Sequence, residues 1–265
     1  MDAPLRGTGA VRQVVVLTGW CLRILLSDRR VVAFALLQPL IMLALFTEVF
    51  GAIANPATLP TGMSYVDYLL PAVLLTTGIG PAVGAGSALA REMGSGALTR
   101  FRAMPVGPHW VLVARSLSDL SRVAAQLAVL LAAGALFFGF TGRGGIGGAV
   151  AALAVAVLVV WALMWVFLAL GAWLRSTEVM QSIGFVVVFP LMFASSAFVP
   201  VHALPGWLQV VAAVNPMTYA VNAARHLSSG EAVGSSVVLA VITSAGVLVV
   251  AGALAAVGFR RPLVR

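Results

Sequence analysis

GAVAALAVAVLVVWALMWVFLALGAW, residues 148–173, contains no Asp, Glu, Lys or Arg. A helix rises about 1.5 Å per residue, so a helix of this length exceeds the roughly 30 Å thickness of a lipid hydrocarbon layer. Of the 265 residues in the chain, 61% are hydrophobic and 9% are charged, and the mean hydropathy is +1.06. Soluble domains contain roughly 45 to 50% apolar residues. The sequence therefore predicts an all-α integral membrane protein.

Further apolar runs of similar length are separated by clusters of Pro, Gly and Arg. Each run has about the 20 residues that a membrane-spanning helix needs. The sequence predicts six spans, at residues 31–53, 66–90, 118–140, 148–173, 180–199 and 235–258.

The arginines predict the orientation of these spans. All 16 basic residues are Arg, and only Arg143 and Arg225 fall in loops on one side of the predicted spans. Because cytoplasmic loops collect positive charge, both termini are predicted to be cytoplasmic. The net charge of +8 is explained by this topology. Nucleic-acid binding would require a basic face on a soluble domain, and the sequence offers none.

Residues 1–30 precede the spanning domain, which is predicted to cover residues 31–265. Their apolar side chains recur at helical spacing around Cys21, and Arg12 and Arg23 fall elsewhere on the helical wheel. We expect an interfacial amphipathic helix on the inner membrane surface, with an ordinary N-terminal helix as the alternative. Cys21 is the only cysteine, which excludes an intrachain disulfide and a Cys-based metal site.

Several classes of chemistry lack their residues in this chain. A Walker phosphate loop ends in Gly-Lys-Ser or Gly-Lys-Thr, and the chain has no lysine, so it cannot be its own ATPase. The three histidines lie far apart, and no metal site is expected. Ion-coupled transporters usually bury charges at the midplane, whereas here the charges lie at the edges of the predicted spans. Arg115, Asp119 and Arg122 are expected to form ion pairs at the inner face.

REMGSGALTRFRAMPVG, residues 91–107, is the most polar connection between two predicted spans. As a helix it would place Met93 and Phe101 on one stripe and Arg91 and Arg102 on the opposite one. It is too short to span a membrane, and it projects on the arginine-rich side. Two interpretations fit this pattern: a helix lying among lipid headgroups, or a projection that binds a cytoplasmic partner.

Glu92, Gly96, Leu98, Arg102 and Pro105 resemble the E-x-x-x-G-x-L-x-x-x-R-x-x-P pattern of type 2 ABC exporter membrane subunits. In that family the pattern lies between the second and third spans. The resemblance extends along most of the chain. FPLMFASSAFVPVHALPGWLQVVAAVNPMTYA, residues 189–220, looks like the daunorubicin-resistance branch of the family.

The resemblance implies a coupling helix at about residues 91–104 that contacts a separate ATPase subunit. The implied contact residues are Glu92, Met93, Gly96, Leu98, Phe101, Arg102 and Pro105. The family also implies two permease chains, expected as a homodimer, working with two ATPase copies. ATP and Mg²⁺ would bind those partners, so this chain needs no cofactor of its own.

A translocation path also needs a lining, for which the sequence offers aromatic rings and hydroxyls on the fifth and second spans. The predicted path residues are Thr76, Thr77, Phe185, Phe189, Met192 and Phe193. Lipid-facing or helix-packing roles are the alternative for each of them. Neighbouring glycines at 78, 80, 84 and 86 are expected to allow close helix contact.

The resemblance implies that the external segment, about residues 200–233, folds back toward the membrane as short re-entrant helices that cap this path. Its predicted gate residues are Pro200, Trp207, Asn215 and Pro216. Pro200 would bend the chain, and Trp207 would begin a segment suited to the outer interface. An ordinary external loop with an interfacial tryptophan explains the segment about as well.

The predicted function is therefore that of the membrane subunit of an ABC exporter in the bacterial plasma membrane. Its cargo would be an amphiphilic drug, antibiotic or lipid-like compound. An exporter of lipid-linked polysaccharide is the nearest alternative, for which Trp161, Trp165 and Trp173 would supply a sugar-holding girdle. An ion-coupled transporter and an intramembrane enzyme are the remaining alternatives, and the sequence lacks the mid-span charges or paired catalytic residues that they need.

Overall fold

The computed structural model describes residues 29–53, 63–94, 108–231 and 234–260, which form helices joined by short connections and contain no strand. Residues 1–28 of the predicted N-terminal helix and residues 95–104 of the predicted coupling helix lie outside these ranges. In chain order the helices are α1 (Arg29–Ile53), α2 (Tyr65–Thr77), α3 (Ile79–Gly94), α4 (Pro108–Phe137), α5 (Gly145–Leu174), α6 (Thr177–Phe193), a 3₁₀ turn (Val201–Ala203), α7 (Gly206–Val214), α8 (Pro216–Ser229) and α9 (Ser235–Arg260).

Four of the described helical segments are long and apolar enough to cross a membrane. They are Tyr65–Gly94, Leu112–Phe137, Gly145–Leu174 and Ser235–Phe259. Two shorter apolar helices, Leu37–Val49 and Thr177–Pro190, fall within the first and fifth predicted spans. The all-helical membrane fold is confirmed, and the count of six spans stays a prediction.

The second predicted span consists of α2 and α3, which meet at Gly78. Ser64 caps the start of α2, where its side chain accepts a hydrogen bond from the backbone N–H of Asp67. Gly78 keeps a right-handed helical conformation, and its N–H donates to the carbonyl of Leu75. The chain therefore continues in nearly the same direction across this junction.

The helix of the third predicted span begins before the predicted span. The sequence places the start of the span at residue 118, whereas α4 begins at Pro108 and the candidate spanning helix at Leu112. The charges of Arg115, Asp119 and Arg122 lower the local hydropathy of these first turns. Asp119 and Arg122 lie seven and ten residues after Leu112, about 10 and 15 Å along the helix axis, and the boundary of the span stays a prediction.

The centre of the bundle is α5, which packs against α3, α4, α8 and α9. At its crossing with α3, a Cβ atom added to Gly86 would lie 2.3 Å from the carbonyl oxygen of Phe167, and one added to Gly171 would lie 2.3 Å from that of Gly86. Only glycine allows the two backbones to come this close. A Cβ added to Gly78 would likewise collide with Val160. Close helix contact is confirmed at Gly78 and Gly86.

Residues 200–233 contain the 3₁₀ turn, α7 and α8. Asn215 separates the two helices: its side-chain oxygen accepts from the N–H of Met217 at 2.9 Å, and Pro216 is the first residue of α8. Proline suits this position because the first N–H of a helix has no intrahelical partner. The short helices expected in this segment are therefore present, and α8 packs against α2, α5 and α9.

Candidate functional site

A cleft of about 590 Å³ lies between α1, α2, α3, α4 and the chain from Met192 to Phe198. Thr76, Thr77 and Met192, predicted to line a path, all border it. Arg115, Asp119 and Arg122, predicted as a separate group of ion pairs, border it too. The cleft is thus bordered by residues from two groups that were predicted separately, the path residues and the inner-face ion pairs. Its volume falls in the range of pockets that hold small molecules.

The glycines at 80 and 84 also border this cleft. A Cβ atom added to either would meet nothing within 4 Å, so neither brings two helices together. The expectation of close helix contact was wrong at these two positions. Together with Thr76 and Thr77 they leave this side of α2 and α3 open as a wall of small side chains.

A polar stripe on α4 forms the opposite wall. Arg115, Asp119, Arg122 and Gln126 follow one another at intervals of four, three and four residues, which places them on one helix face. The stripe extends about 16 Å along the helix axis. The cleft therefore carries charge and amide groups to a depth where a membrane-spanning helix is normally apolar.

Arg115 joins this stripe to the end of α3. Its Nη1 donates to a carboxylate oxygen of Glu92, and its Nε lies 4.0 Å from Asp119 Oδ2. Glu92 and Arg115 lie on either side of the segment 95–107, so the ion pair connects the two helices that carry that segment. The expected pairing of Arg115 with Asp119 is present, and Glu92 is an additional partner that the sequence did not reveal.

Of the predicted coupling residues, only Glu92 and Met93 lie in the described ranges. Met93 is completely buried among the chain's own core residues. We therefore reassign Met93 from a contact with the ATPase to the packing of α3. The other predicted coupling residues lie outside the described ranges: Gly96, Leu98, Phe101, Arg102 and Pro105.

An aromatic ladder leads along α6 to the cleft. Its rings are Phe185, Phe189, Phe193, Phe198 and Phe46, with successive centroid distances of 5.5, 4.7, 5.3 and 4.9 Å. The first three recur every four residues and are 70%, 49% and 45% exposed. Of these five rings only Phe198 borders the cleft. The predicted phenylalanines at 185, 189 and 193 thus form an exposed strip beside the cavity.

A buried polar cluster lies at the other end of the bundle, where α2 begins; we call it the Arg225 cluster (Asp67, Tyr68, Ser196, Arg225). Arg225 is 6% exposed, and it donates from Nε to the Tyr68 carbonyl and from Nη2 to the Ala197 carbonyl, both at 2.8 Å. Its guanidinium carbon lies 3.5 Å from the centre of the Tyr68 ring. Burial lowers the pKa of Arg225 to about 10, so the side chain remains charged at neutral pH.

The rest of the Arg225 cluster is also hydrogen bonded. Tyr68 donates its hydroxyl to the Ser196 carbonyl at 3.1 Å. Asp67 accepts from the N–H and the hydroxyl of Thr141, at 2.9 and 3.0 Å, and from the hydroxyl of Ser64 at 2.7 Å. The cluster therefore ties α2 to α8, to the connection after α4 and to the connection after α6.

Sequence analysis missed this cluster because it placed Arg225 in a loop. A signal was available: Met217, Val221, Ala224 and Arg225 recur at helical spacing, and all four are buried on α8. An arginine on the apolar face of a short helix indicates a buried charge that needs acceptors.

The predicted gate residues have three different environments. Asn215 is 4% exposed and donates from Nδ2 to the Ala194 carbonyl at 2.7 Å, in addition to capping α8. Pro200 precedes the 3₁₀ turn. Trp207 is 70% exposed at the start of α7. Asn215 therefore holds the end of α6 against the start of α8, whereas Trp207 offers its ring to the surroundings.

The chain is similar to known transport permeases along most of its length. The sequence model of the ABC-2 type transporter family matches residues 12–228. A daunorubicin resistance ABC transporter permease protein, DrrB1 of Streptomyces coeruleorubidus, is 33% identical over 81% of this chain and 74% of its own. A probable doxorubicin resistance ABC transporter permease protein, DrrC of Mycobacterium tuberculosis, is 26% identical over 93% of this chain and 86% of its own.

A putative transport permease of the alga Porphyra purpurea is also similar, with 27% identity over 73% of this chain and 66% of its own. The family match covers well over half of the sequence and includes the α2–α4 cleft and α8. With its long apolar helices, the chain is a multi-pass protein of the bacterial inner membrane. It belongs to the ABC-2 type transporter family and is a permease homologous to drug-resistance permeases.

Proposed function

We propose that the chain is the membrane subunit of an ABC exporter and moves an amphiphilic small molecule out of the cell. The observation that carries this proposal is the continuity from Glu92 through Arg115 to the cleft. A movement imposed on segment 95–107 would act on both α3 and α4, which are two walls of the same cavity.

The ATPase is a separate subunit in this proposal, and ATP and Mg²⁺ bind there. Two ATPase copies and a second permease chain complete the transporter. ATP binding favours one access state of the permease over the other, and the coupling helix transmits that preference. Leu98, Phe101 and Arg102 of that helix contact the ATPase, and Glu92 holds its first turn to α4.

Six spans with both termini in the cytoplasm complete the topology that we propose. The Glu92 end of the bundle then faces the cytoplasm, and the Arg225 cluster, α7 and α8 lie on the outer side. Cysteines introduced at Arg143 and at Trp207, in a chain with Cys21 replaced by Ser, should react with a membrane-impermeant maleimide from outside. Labelling only in opened cells would invert the topology.

The alternative of a polysaccharide exporter depended on a girdle of tryptophans, and these tryptophans pack between helices instead. Trp161 and Trp173 donate to Ser116 Oγ at 3.5 Å and to the Leu254 carbonyl at 2.9 Å, and Trp165 is buried in the core. These contacts hold α5 to α4 and α9. None of the three tryptophans borders the 590 Å³ cleft.

Asp119 and Arg122 lie inside a candidate span, and charged residues within a span are the feature that an ion-coupled transporter needs. ATP dependence separates the two mechanisms. Inverted vesicles that contain the permease and its ATPase should accumulate an amphiphilic dye with ATP and lose this activity without it. Accumulation driven by an ion gradient alone, in vesicles that lack the ATPase, would replace the ABC mechanism.

The same vesicles test the coupling residues. Glu92→Gln and Phe101→Ala should abolish ATP-driven uptake while the protein still inserts into the membrane fraction. Glu178→Gln is the matched control, because Glu178 is an exposed acid in the first turn of α6 and lies outside the cleft. Normal uptake by both coupling variants would remove this role.

A further inference from the structure

The charges around the cleft are unevenly paired. Arg115 has two acidic neighbours, because its Nη1 contacts Glu92 and its Nε faces Asp119. Arg122, one turn beyond Asp119, forms neither a hydrogen bond nor a salt bridge with any residue in the described ranges. Both acids therefore lie beside Arg115, and Asp119 also interacts electrostatically with Arg122, whose exposed side chain borders the cavity.

A second observation points to the same need for an acceptor. The Nε atom of Arg115 is buried, and within the described part of the chain no hydrogen-bond acceptor reaches it. A buried donor without an acceptor destabilises a protein, and a guanidinium is stabilised best by planar anions. The α4 wall thus contains two guanidinium groups: that of Arg115 is held by Glu92 and lies beside Asp119, and that of Arg122 is exposed to the cavity.

The rest of the lining is mixed. Gln38, Thr76 and Thr77 add polar groups, and Met42, Val73, Met192 and Phe198 add an apolar surface. Methionine side chains adapt to ligands of varied shape, and the Phe198 ring continues into the aromatic ladder. A ligand that matches both walls has a charged head and an apolar, aromatic or aliphatic body.

An arginine within a membrane-spanning segment is costly and usually marks a functional site. We propose that this cleft selects amphiphiles with an anionic head, a carboxylate or a phosphate, which binds Arg122. The inference rests on the proposed exporter function, for which it names the cargo class. The anionic group belongs either to the transported compound or to a phospholipid headgroup, since both offer the same oxygen acceptors.

Three probes with one fluorescent body test the charge preference: dansylated undecanoic acid, its methyl ester, and the corresponding amine. Each is titrated against the purified full-length permease in phosphatidylcholine nanodiscs, with dansyl fluorescence as the signal. The acid should bind about tenfold more tightly than the ester or the amine, which is the effect of one charge-assisted hydrogen bond. Equal affinities, preference for the amine, or no binding of the acid would overturn the proposal.

Variants assign the preference to Arg122. Arg122→Gln should weaken binding of the acid about tenfold and leave the ester unchanged, and Arg122→Lys should retain part of the preference because it keeps the charge. Arg143→Gln, which removes an equal charge from an exposed position outside the cleft, should have no effect. Size-exclusion profiles identical to that of the parent chain establish folding, and full acid affinity in a folded Arg122→Gln protein would contradict the proposal.

Nanodiscs that contain phosphatidylglycerol separate the two sources of the anion. Competition with the acid that disappears in Arg122→Gln would support the anion site and identify lipid as an occupant. Absence of competition would support the site with the exported compound as its ligand.

The outcomes for cargo class and for exporter function are distinguishable. ATP-driven uptake of acid and ester at equal rates would overturn the anion preference and leave the exporter standing. Selective binding without any ATP-driven uptake, in vesicles that contain the ATPase, would overturn the proposed function alone.

Discussion

Arg225 and Arg122 are both arginines on helices of the same bundle, and their surroundings differ in every respect. Arg225 is buried, donates to two backbone carbonyls and covers the Tyr68 ring. Arg122 is exposed to a cavity and forms no hydrogen bond or salt bridge within the described residues. One arginine is satisfied by its own chain, whereas the described residues provide no hydrogen-bond acceptor for the other.

This difference distinguishes a charged residue that stabilises the fold from one that is available to bind a ligand. Buried polar groups stabilise a fold when every donor and acceptor is paired, as in the Arg225 cluster. A charge that stays unpaired beside a cavity costs stability and persists where it recognises a ligand. We therefore expect substitutions in the Arg225 cluster to change stability and substitutions on the cleft face of α4 to change activity.

The largest effect on stability should come from Arg225→Met. It removes the donors that Arg225 supplies to the Tyr68 and Ala197 carbonyls, so the free energy of unfolding should fall by about 3 kcal/mol. Thermal or denaturant unfolding of the purified protein in detergent measures this loss. Arg143→Met is the exposed control. An unchanged free energy of unfolding would show that Arg225 does not hold the outer elements together.

Asp67→Asn should have the next largest effect. Asparagine keeps one acceptor oxygen and places an amide N–H₂ where Asp67 Oδ2 now accepts from Ser64 and Thr141. The loss should be about 1 to 2 kcal/mol in the same unfolding measurement. The exposed acid Glu231, changed to Gln, provides the comparison. Equal losses for both variants would contradict a special role of Asp67.

The Glu92–Arg115 pair should contribute less because both side chains are partly exposed. A double-mutant cycle with Glu92→Gln and Arg115→Gln should give a coupling energy of about 0.5 to 1 kcal/mol. The two single substitutions should each reduce ATP-driven uptake far more than this small stability change explains. Strictly additive unfolding energies would mean that the ion pair does not connect α3 to α4.

Arg122→Gln should have the smallest effect on stability. Since the guanidinium has no partner to lose in the described structure, the free energy of unfolding should change by no more than about 0.5 kcal/mol. Transport of an anionic amphiphile should nevertheless fall sharply in vesicles. A loss of stability comparable to that of Arg225→Met would erase the contrast between the two arginines.

The sequence predicted what depends on local pattern. Uncharged apolar runs identified the long helices, and Asn215-Pro216 marked the boundary between α7 and α8. Thr76, Thr77 and Met192, predicted to line a substrate path, border one cavity, and their role in transport stays a prediction.

The sequence did not predict what depends on tertiary pairing. The sequence did not show that α4 extends back to Pro108, because the charges around Asp119 appear as a span edge and the pairing of Arg115 with Glu92 is not visible in the sequence. Arg225 was assigned to a loop because its acceptors are carbonyls from residues 68 and 197, far away in the sequence. Met93 was assigned to a partner because periodicity finds an apolar stripe without showing what covers it.

The contact between Gly86 and Gly171 has a consequence for how the cavity can change shape. Two backbones in direct contact leave no side-chain layer to deform, so α3 cannot rotate or slide on α5 without a collision. A displacement of α3 is therefore passed on to α5, and the two helices would move as one body. The helix α1 borders the same cleft through Gln38, Pro39 and Met42, and Pro39 interrupts the hydrogen-bond ladder of that helix. The cavity would then change shape where the α3–α5 pair moves against α1.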